Sequence, residues 1–124
     1  MALQVTNVVI ANGASLSGPV DIGSYSLVGL LTPAAWTAAD ITFAAAVTPG
    51  LTDNLAPADL TYYPIFDAAG TELAITNGSA TSRFYALAPG AFEGTRFLKV
   101  RSGTVGAAVN QGAARAIGLV LGDV

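Results

Sequence analysis

Apolar positions in this chain come in short runs rich in β-branched and aromatic residues, such as Val5-Thr6-Asn7-Val8-Val9-Ile10 and Ile41-Thr42-Phe43. Turn-forming residues separate the runs at intervals of about 8–12 residues, a spacing that indicates an all-β sandwich or barrel. The pattern predicts strands at residues 4–10, 25–31, 41–47, 61–66, 72–76, 84–87, 96–101 and 116–121. Asn12-Gly13 and Asn77-Gly78 are strong turn signals because both residue types tolerate positive φ. Asp67-Ala68-Ala69-Gly70 lies between two strand-like runs and predicts a short hairpin loop. Pro33-Ala34-Ala35-Trp36 and Ala88-Pro89-Gly90-Ala91-Phe92 each have room for one helical turn. Alanine is abundant, but it sits beside Val, Thr, Gly and Pro, so it is read as a small strand and loop residue rather than a helix former.

Residues 102–114 are Gly/Ala-rich without apolar periodicity and predict a long loop, a feature that is often functional or contacts a partner. No internal repeat or linker divides the chain. The expectation is one domain over residues 1–124, an antiparallel β-sandwich of jelly-roll or Ig-like type with about eight strands. Its expected core holds Leu27, Trp36, Ile41, Phe43, Phe66, Phe84, Leu98, Val100 and Leu119. A chain of 124 residues buries roughly two-thirds of its unfolded surface, enough for a core without staples.

Charge changes the picture. Only 10% of the residues are charged and 52% are hydrophobic, against about 25% charged in an ordinary soluble domain. Yet the uncharged stretch 22–39 is broken by Gly, Ser, Thr and Pro and does not form a span of about 20 apolar residues. The expectation is a protein made in the cytoplasm, without a signal segment or a membrane partner, whose surface is covered by neighbouring chains. The net charge of −3 argues against nucleic acid, which demands a dense basic surface.

Candidate chemistry is sparse. The chain has no Cys and no His, which removes disulfides, thiolate metal sites and the commonest general base. No Ser or Thr therefore has a His to activate it. Asp53, Asp59 and Asp67 do not follow EF-hand spacing and read as turn acids. No enzyme activity, cofactor or metal is expected.

The charges are segregated. Residues 1–82 hold Asp21, Asp40, Asp53, Asp59, Asp67 and Glu72 and no base. Arg83, Arg96, Lys99, Arg101 and Arg115 all follow. Alternation within 96–101 places Phe97, Lys99 and Arg101 on one face and Arg96, Leu98 and Val100 on the other. The plain reading is an edge strand whose charges block edge-to-edge pairing. The sharper reading makes Arg83, Arg96, Lys99, Arg101 and Arg115 a candidate assembly interface that meets acids on a neighbour. Trp36, Tyr62, Tyr63 and Tyr85 are read mainly as packing residues, with a sugar-binding platform as the other possibility.

Three segments carry a resemblance. They are Tyr25-Ser26-Leu27-Val28-Gly29 leading into Pro33-Ala34-Ala35-Trp36-Thr37-Ala38-Ala39; Phe66-Asp67-Ala68-Ala69-Gly70-Thr71-Glu72; and Ala91-Phe92-Glu93-Gly94-Thr95-Arg96-Phe97-Leu98-Lys99-Val100-Arg101-Ser102-Gly103-Thr104 with Val109-Asn110-Gln111. This pattern resembles small virion structural proteins of tailed bacteriophages and prophages. The resemblance spans most of residues 20–121 and implies a virion component with no catalytic residues. Residues 48–59 depart from a tight hairpin and are a place for contacts peculiar to this chain. The expected role is a capsid decoration or cement protein on the outside of the head. Its expected partners are a major capsid protein and copies of itself, as a homo-oligomer such as a trimer. The alternative is a carbohydrate-binding or adhesion module of a head fibre or tail, engaging a host glycan.

Overall fold

The computed structural model describes residues 3–46, 57–88, 90–92 and 94–123. Among these described residues it contains ten strands: β1 (Leu3–Ile10), β2 (Val20–Asp21), β3 (Ser26–Leu31), β4 (Ile41–Ala46), β5 (Tyr63–Pro64), β6 (Ala74–Ile75), β7 (Phe84–Ala86), β8 (Phe97–Thr104), β9 (Ala107–Ala108) and β10 (Arg115–Gly122). The helical content among the described residues is one 3-10 turn, Pro57–Asp59. The expected one-turn helix at 33–36 is absent, and residues 90–92 form a plain turn.

The strands make two antiparallel sheets. One has the order β1-β10-β3-β7. The other runs β2-β8-β4-β5, with β6 also on β4 and β9 on β8. The fold is therefore the all-β sandwich expected from the turn spacing. Its closure is long-range, because β1 pairs with β10 in an unbroken register from Leu3↔Gly122 to Ile10↔Arg115.

The core lies between the sheets. Alternation turns Val8, Ile10, Ile117, Leu119 and Leu121 inward from the first sheet, and a bulge in β3 between Leu27 and Gly29 brings both Leu27 and Leu30 to the same side. Ile41, Phe43, Ile75, Leu98 and Val100 meet them from the second. Phe92, from the turn at 90–92, enters the same core and packs edge-on against Phe43 with ring centroids 5.0 Å apart. Trp36 is buried, and its Nε1 donates to the Ala39 carbonyl at 3.0 Å.

Several expectations are corrected. Phe66 and Phe84 are exposed, not core. Phe66 sits at the hairpin bridge to Glu72, and Phe84 points away from the core on β7. The segment at 96–101 is not an edge strand, since β8 has β2 on one side and β4 on the other. The expected loop at 102–114 begins as strand: β8 runs through Thr104, turns, and returns as β9. The strands expected at 61–66 and 72–76 shrink to the two-residue pairings of β5 and β6 on β4. The Asp67–Gly70 hairpin is present, with Asp67 Oδ1 accepting from the N–H groups of Ala69 and Thr71. Asp53 and most of the departing segment 48–59 lie outside the described residues.

Candidate interaction surface

The expected basic interface does not assemble as one patch. Arg96, Lys99 and Arg101 follow one another along β8 and its leading edge, while Arg83 adjoins β7 in the other sheet. Arg115 begins β10, where its Nε donates to Gln111 Oε1 at 3.1 Å. Three more of the bases are engaged within the chain. Arg96 Nε lies 3.3 Å from Asp21 Oδ1, and its guanidinium sits 5.3 Å from the centre of the Phe97 ring. The Lys99 ammonium lies 4.5 Å above the Tyr62 ring. Arg101 Nη1 lies 3.5 Å from Glu72 Oε2, with both side chains only 12% exposed. Arg83 is exposed and forms no ion pair among the described residues.

These contacts explain the charge segregation. Asp21 and Glu72 are far from their bases in sequence, but Asp21 sits on β2 beside β8, and Glu72 ends the 66–72 hairpin across β4 from β8. Burial pushes the Asp21 carboxyl up. The hydrogen bond from Arg96, the Gly23 N–H and the Arg96 charge outweigh burial and hold it below the ordinary range. Burial, helped by the Asp21 charge, raises the Tyr62 hydroxyl above its ordinary value. The outer face of β4 is sealed as well: Thr42, Ala44 and Ala46 are buried there, and the Thr42 hydroxyl donates to the Gly103 carbonyl at 2.7 Å.

The outer face of the first sheet is different in kind. Pairing registers put Leu3, Val5, Asn7 and Val9 of β1 on that face, with Ala116, Gly118, Val120 and Gly122 of β10. Gly29 and Leu31 of β3 and Phe84 and Ala86 of β7 continue it. Asn7 is the single polar side chain in that set, and no charge is present. Leu3 is 65% exposed, Val5 58%, Val9 51% and Phe84 59%. Together these four large apolar side chains expose on the order of 400 Å², within the range of the largest apolar patch of an ordinary monomer, which is often functional.

Glycine shapes this face. A Cβ built on Gly29 would lie 2.8 Å from Phe84 Cζ and 3.3 Å from Val120 Cβ, so the Phe84 ring lies directly on the Gly29 backbone. A Cβ on Gly118 would meet Leu31 at 3.0 Å. The large side chains thus lie over the glycines.

The other candidate features are committed elsewhere. Tyr85 donates to the Asn77 Oδ1 at 2.6 Å, and Tyr62 donates to the Pro57 carbonyl at 2.8 Å. With Trp36 buried, the four residues considered as a sugar platform do not share one exposed row. A cleft of about 350 Å³ opens between the turn at 23–26 and Thr95–Arg96, but its charged group, Arg96, is held by Asp21. No group of three or more acids, His or Cys gathers among the described residues. Sequence reasoning missed the apolar face because the alternation that marks a core strand is silent on which half faces solvent.

Searches against family models, curated proteins and solved structures returned no match to this chain.

Proposed function

We propose that this chain is a non-enzymatic structural component of a tailed-phage virion, a decoration or cement protein on the outside of the head. The observation that carries the reading is the charge-free, apolar outer face of the β1-β10-β3-β7 sheet. A face of this composition has no substrate-orienting groups and no metal ligands. Its chemistry suits burial against a protein surface, where apolar area gives about 25 cal/mol per Å². Docking this face on a major capsid protein leaves the second sheet, with its internal ion pairs, toward solvent. The phage setting comes from the sequence resemblance, and the low charge fits a chain that works covered by neighbours. The glycan-binding alternative has less support, because Trp36 and Tyr85 are taken up by internal contacts.

The test is location. Particles purified from an infected or induced host are analysed by mass spectrometry and cryo-electron microscopy for this chain. The expected result is stoichiometric density on the outer shell with β1 and Phe84 toward the capsid. Val5→Glu with Phe84→Glu is expected to abolish incorporation while the isolated domain keeps its fold. Absence of the chain from particles, or normal decoration by the double variant, overturns the proposal.

A further inference from the structure

We propose that two copies of this chain pair edge to edge through β1, antiparallel across a two-fold axis, to make one continuous eight-stranded sheet. The inference rests on the reading of this sheet as an assembly surface and adds the partner that completes it.

The free edge of β1 follows from the hydrogen-bond alternation. The Thr32 N–H donates to the Arg83 carbonyl at 2.9 Å, so even positions near the end of β3 face β7. Leu31 then faces β10, and its register partner Gly118 faces β3. The next residue, Leu119, faces β1 and pairs with Thr6. Thr6 and Val8 therefore spend their backbone groups on β10. Val5, Asn7 and Val9 carry theirs to the open side, where no other described strand lies.

An edge of this kind is unusual. Natural proteins protect edges with charge, proline, bulges or short strands. β1 has eight residues, roughly 27 Å at about 3.4 Å per residue, with no charge, no proline and no bulge against β10. The other edges are protected. β7 has three residues, flanked by Arg83 and by Ser82 at φ +53°, and β2 and β5 have two each.

A second copy is the occupant that matches. An antiparallel copy of β1 presents the same row of open N–H and C=O groups, so the contact is isologous and closes as a dimer. Registers centred on Thr6 or on Asn7 both set odd positions against odd positions. Each one continues the apolar outer face across the seam. β1 brings no charge to it, so a chain of net charge −3 places no like charges on the two strands.

The test uses the full chain. Light scattering after size exclusion and native mass spectrometry are expected to give twice 12.4 kDa. Asn7→Pro removes an open-side N–H while leaving the β10 ladder intact, and is expected to give a folded monomer, as is Val5→Lys. Arg83→Glu, at the opposite edge, is expected to stay dimeric. Hydrogen exchange covers the case in which a variant fails to fold: the Val5, Asn7 and Val9 amides of the wild type should gain at least tenfold protection as protein concentration rises. A monomer or trimer mass, a dimeric Asn7→Pro, or amides indifferent to concentration overturns the inference. A dimer absent from particles sinks the virion reading alone, and a monomer found on particles sinks this one alone.

Discussion

Arg101 Nη1 stands 3.5 Å from Glu72 Oε2 on the outer side of the second sheet, with both side chains 12% exposed. Glu72 also accepts from the Val105 N–H at 3.2 Å, so one carboxylate ties the 66–72 hairpin to the β8–β9 turn. Arg101 Nη1 is buried and has no hydrogen-bond partner, which makes the nearby carboxylate its compensation. Glu72→Ala is expected to cost about 2–3 kcal/mol, because it strands a nearly buried guanidinium. Arg101→Met in the same background should recover most of that loss. Urea unfolding of the four members of the cycle measures it, and additive losses would show that the pair is not coupled.

Gln111 is the anchor of the segment that looked like a free loop. Its Nε2 donates to Ser102 Oγ at 2.6 Å and to the Thr37 carbonyl at 3.0 Å, and its Oε1 accepts from the Thr37 N–H at 2.8 Å. Gln111→Ala leaves these buried groups unpaired and should lower stability by about 3 kcal/mol. A loss below 0.5 kcal/mol in chemical denaturation, an order-of-magnitude threshold for a surface site, would mean the loop holds without it.

Gly103 gives β8 a residue at φ +91° within the strand, where it pairs with Ala108 of β9. A Cβ there would run into the Ala107 carbonyl and come within 2.8 Å of the Val109 nitrogen. Gly103→Ala is expected to destabilise by about 2–4 kcal/mol through combined backbone strain and clash. A thermal midpoint unchanged from wild type would contradict this.

Asp21 links stability to acid. Its folded pKa lies below the unfolded value of about 3.9. The contribution is therefore present above about pH 4 and is lost as pH falls through the folded value. Arg96→Gln removes the main lowering partner, so its stability should fall less steeply below pH 4 than that of wild type. Both side chains are about half exposed, so the difference is small and shrinks in high salt. Parallel slopes in thermal melts from pH 5 to about pH 2 would assign the acid limb to other groups.

Two aromatic residues with similar sequence surroundings should separate in a stability assay. Trp36→Ala removes a buried ring and its bond to Ala39, and should cost about 3–5 kcal/mol. Phe66 is 48% exposed, and Phe66→Ala should cost about 1 kcal/mol or less. Equal losses would place Phe66 in a packed environment.

The sandwich was legible in the sequence because two periodicities are local: β-branched runs every 8–12 residues and turn residues between them. Leu27, Ile41, Phe43, Leu98, Val100 and Leu119 were recoverable as core on that basis, since a strand that alternates has an inside. Which side is inside is not local. Phe84 and Phe66 carry the same signal as Phe43 but lie on the outward face or at a hairpin end, as decided by strands paired from distant parts of the chain. The two-residue strands β2 and β9 have no pattern of their own and exist because a neighbour offers hydrogen bonds, while β5 and β6 are the parts of the runs at 61–66 and 72–76 that β4 pairs with. The charges show the same division. Their segregation along the chain is plain in the sequence, but only the sheet order brings Asp21 to Arg96 and Glu72 to Arg101, so that acids and bases meet within one chain. The apolar outer face and the open edge of β1 were likewise decided by pairing, because leaving a strand at an edge is a property of the strand order and not of its residues.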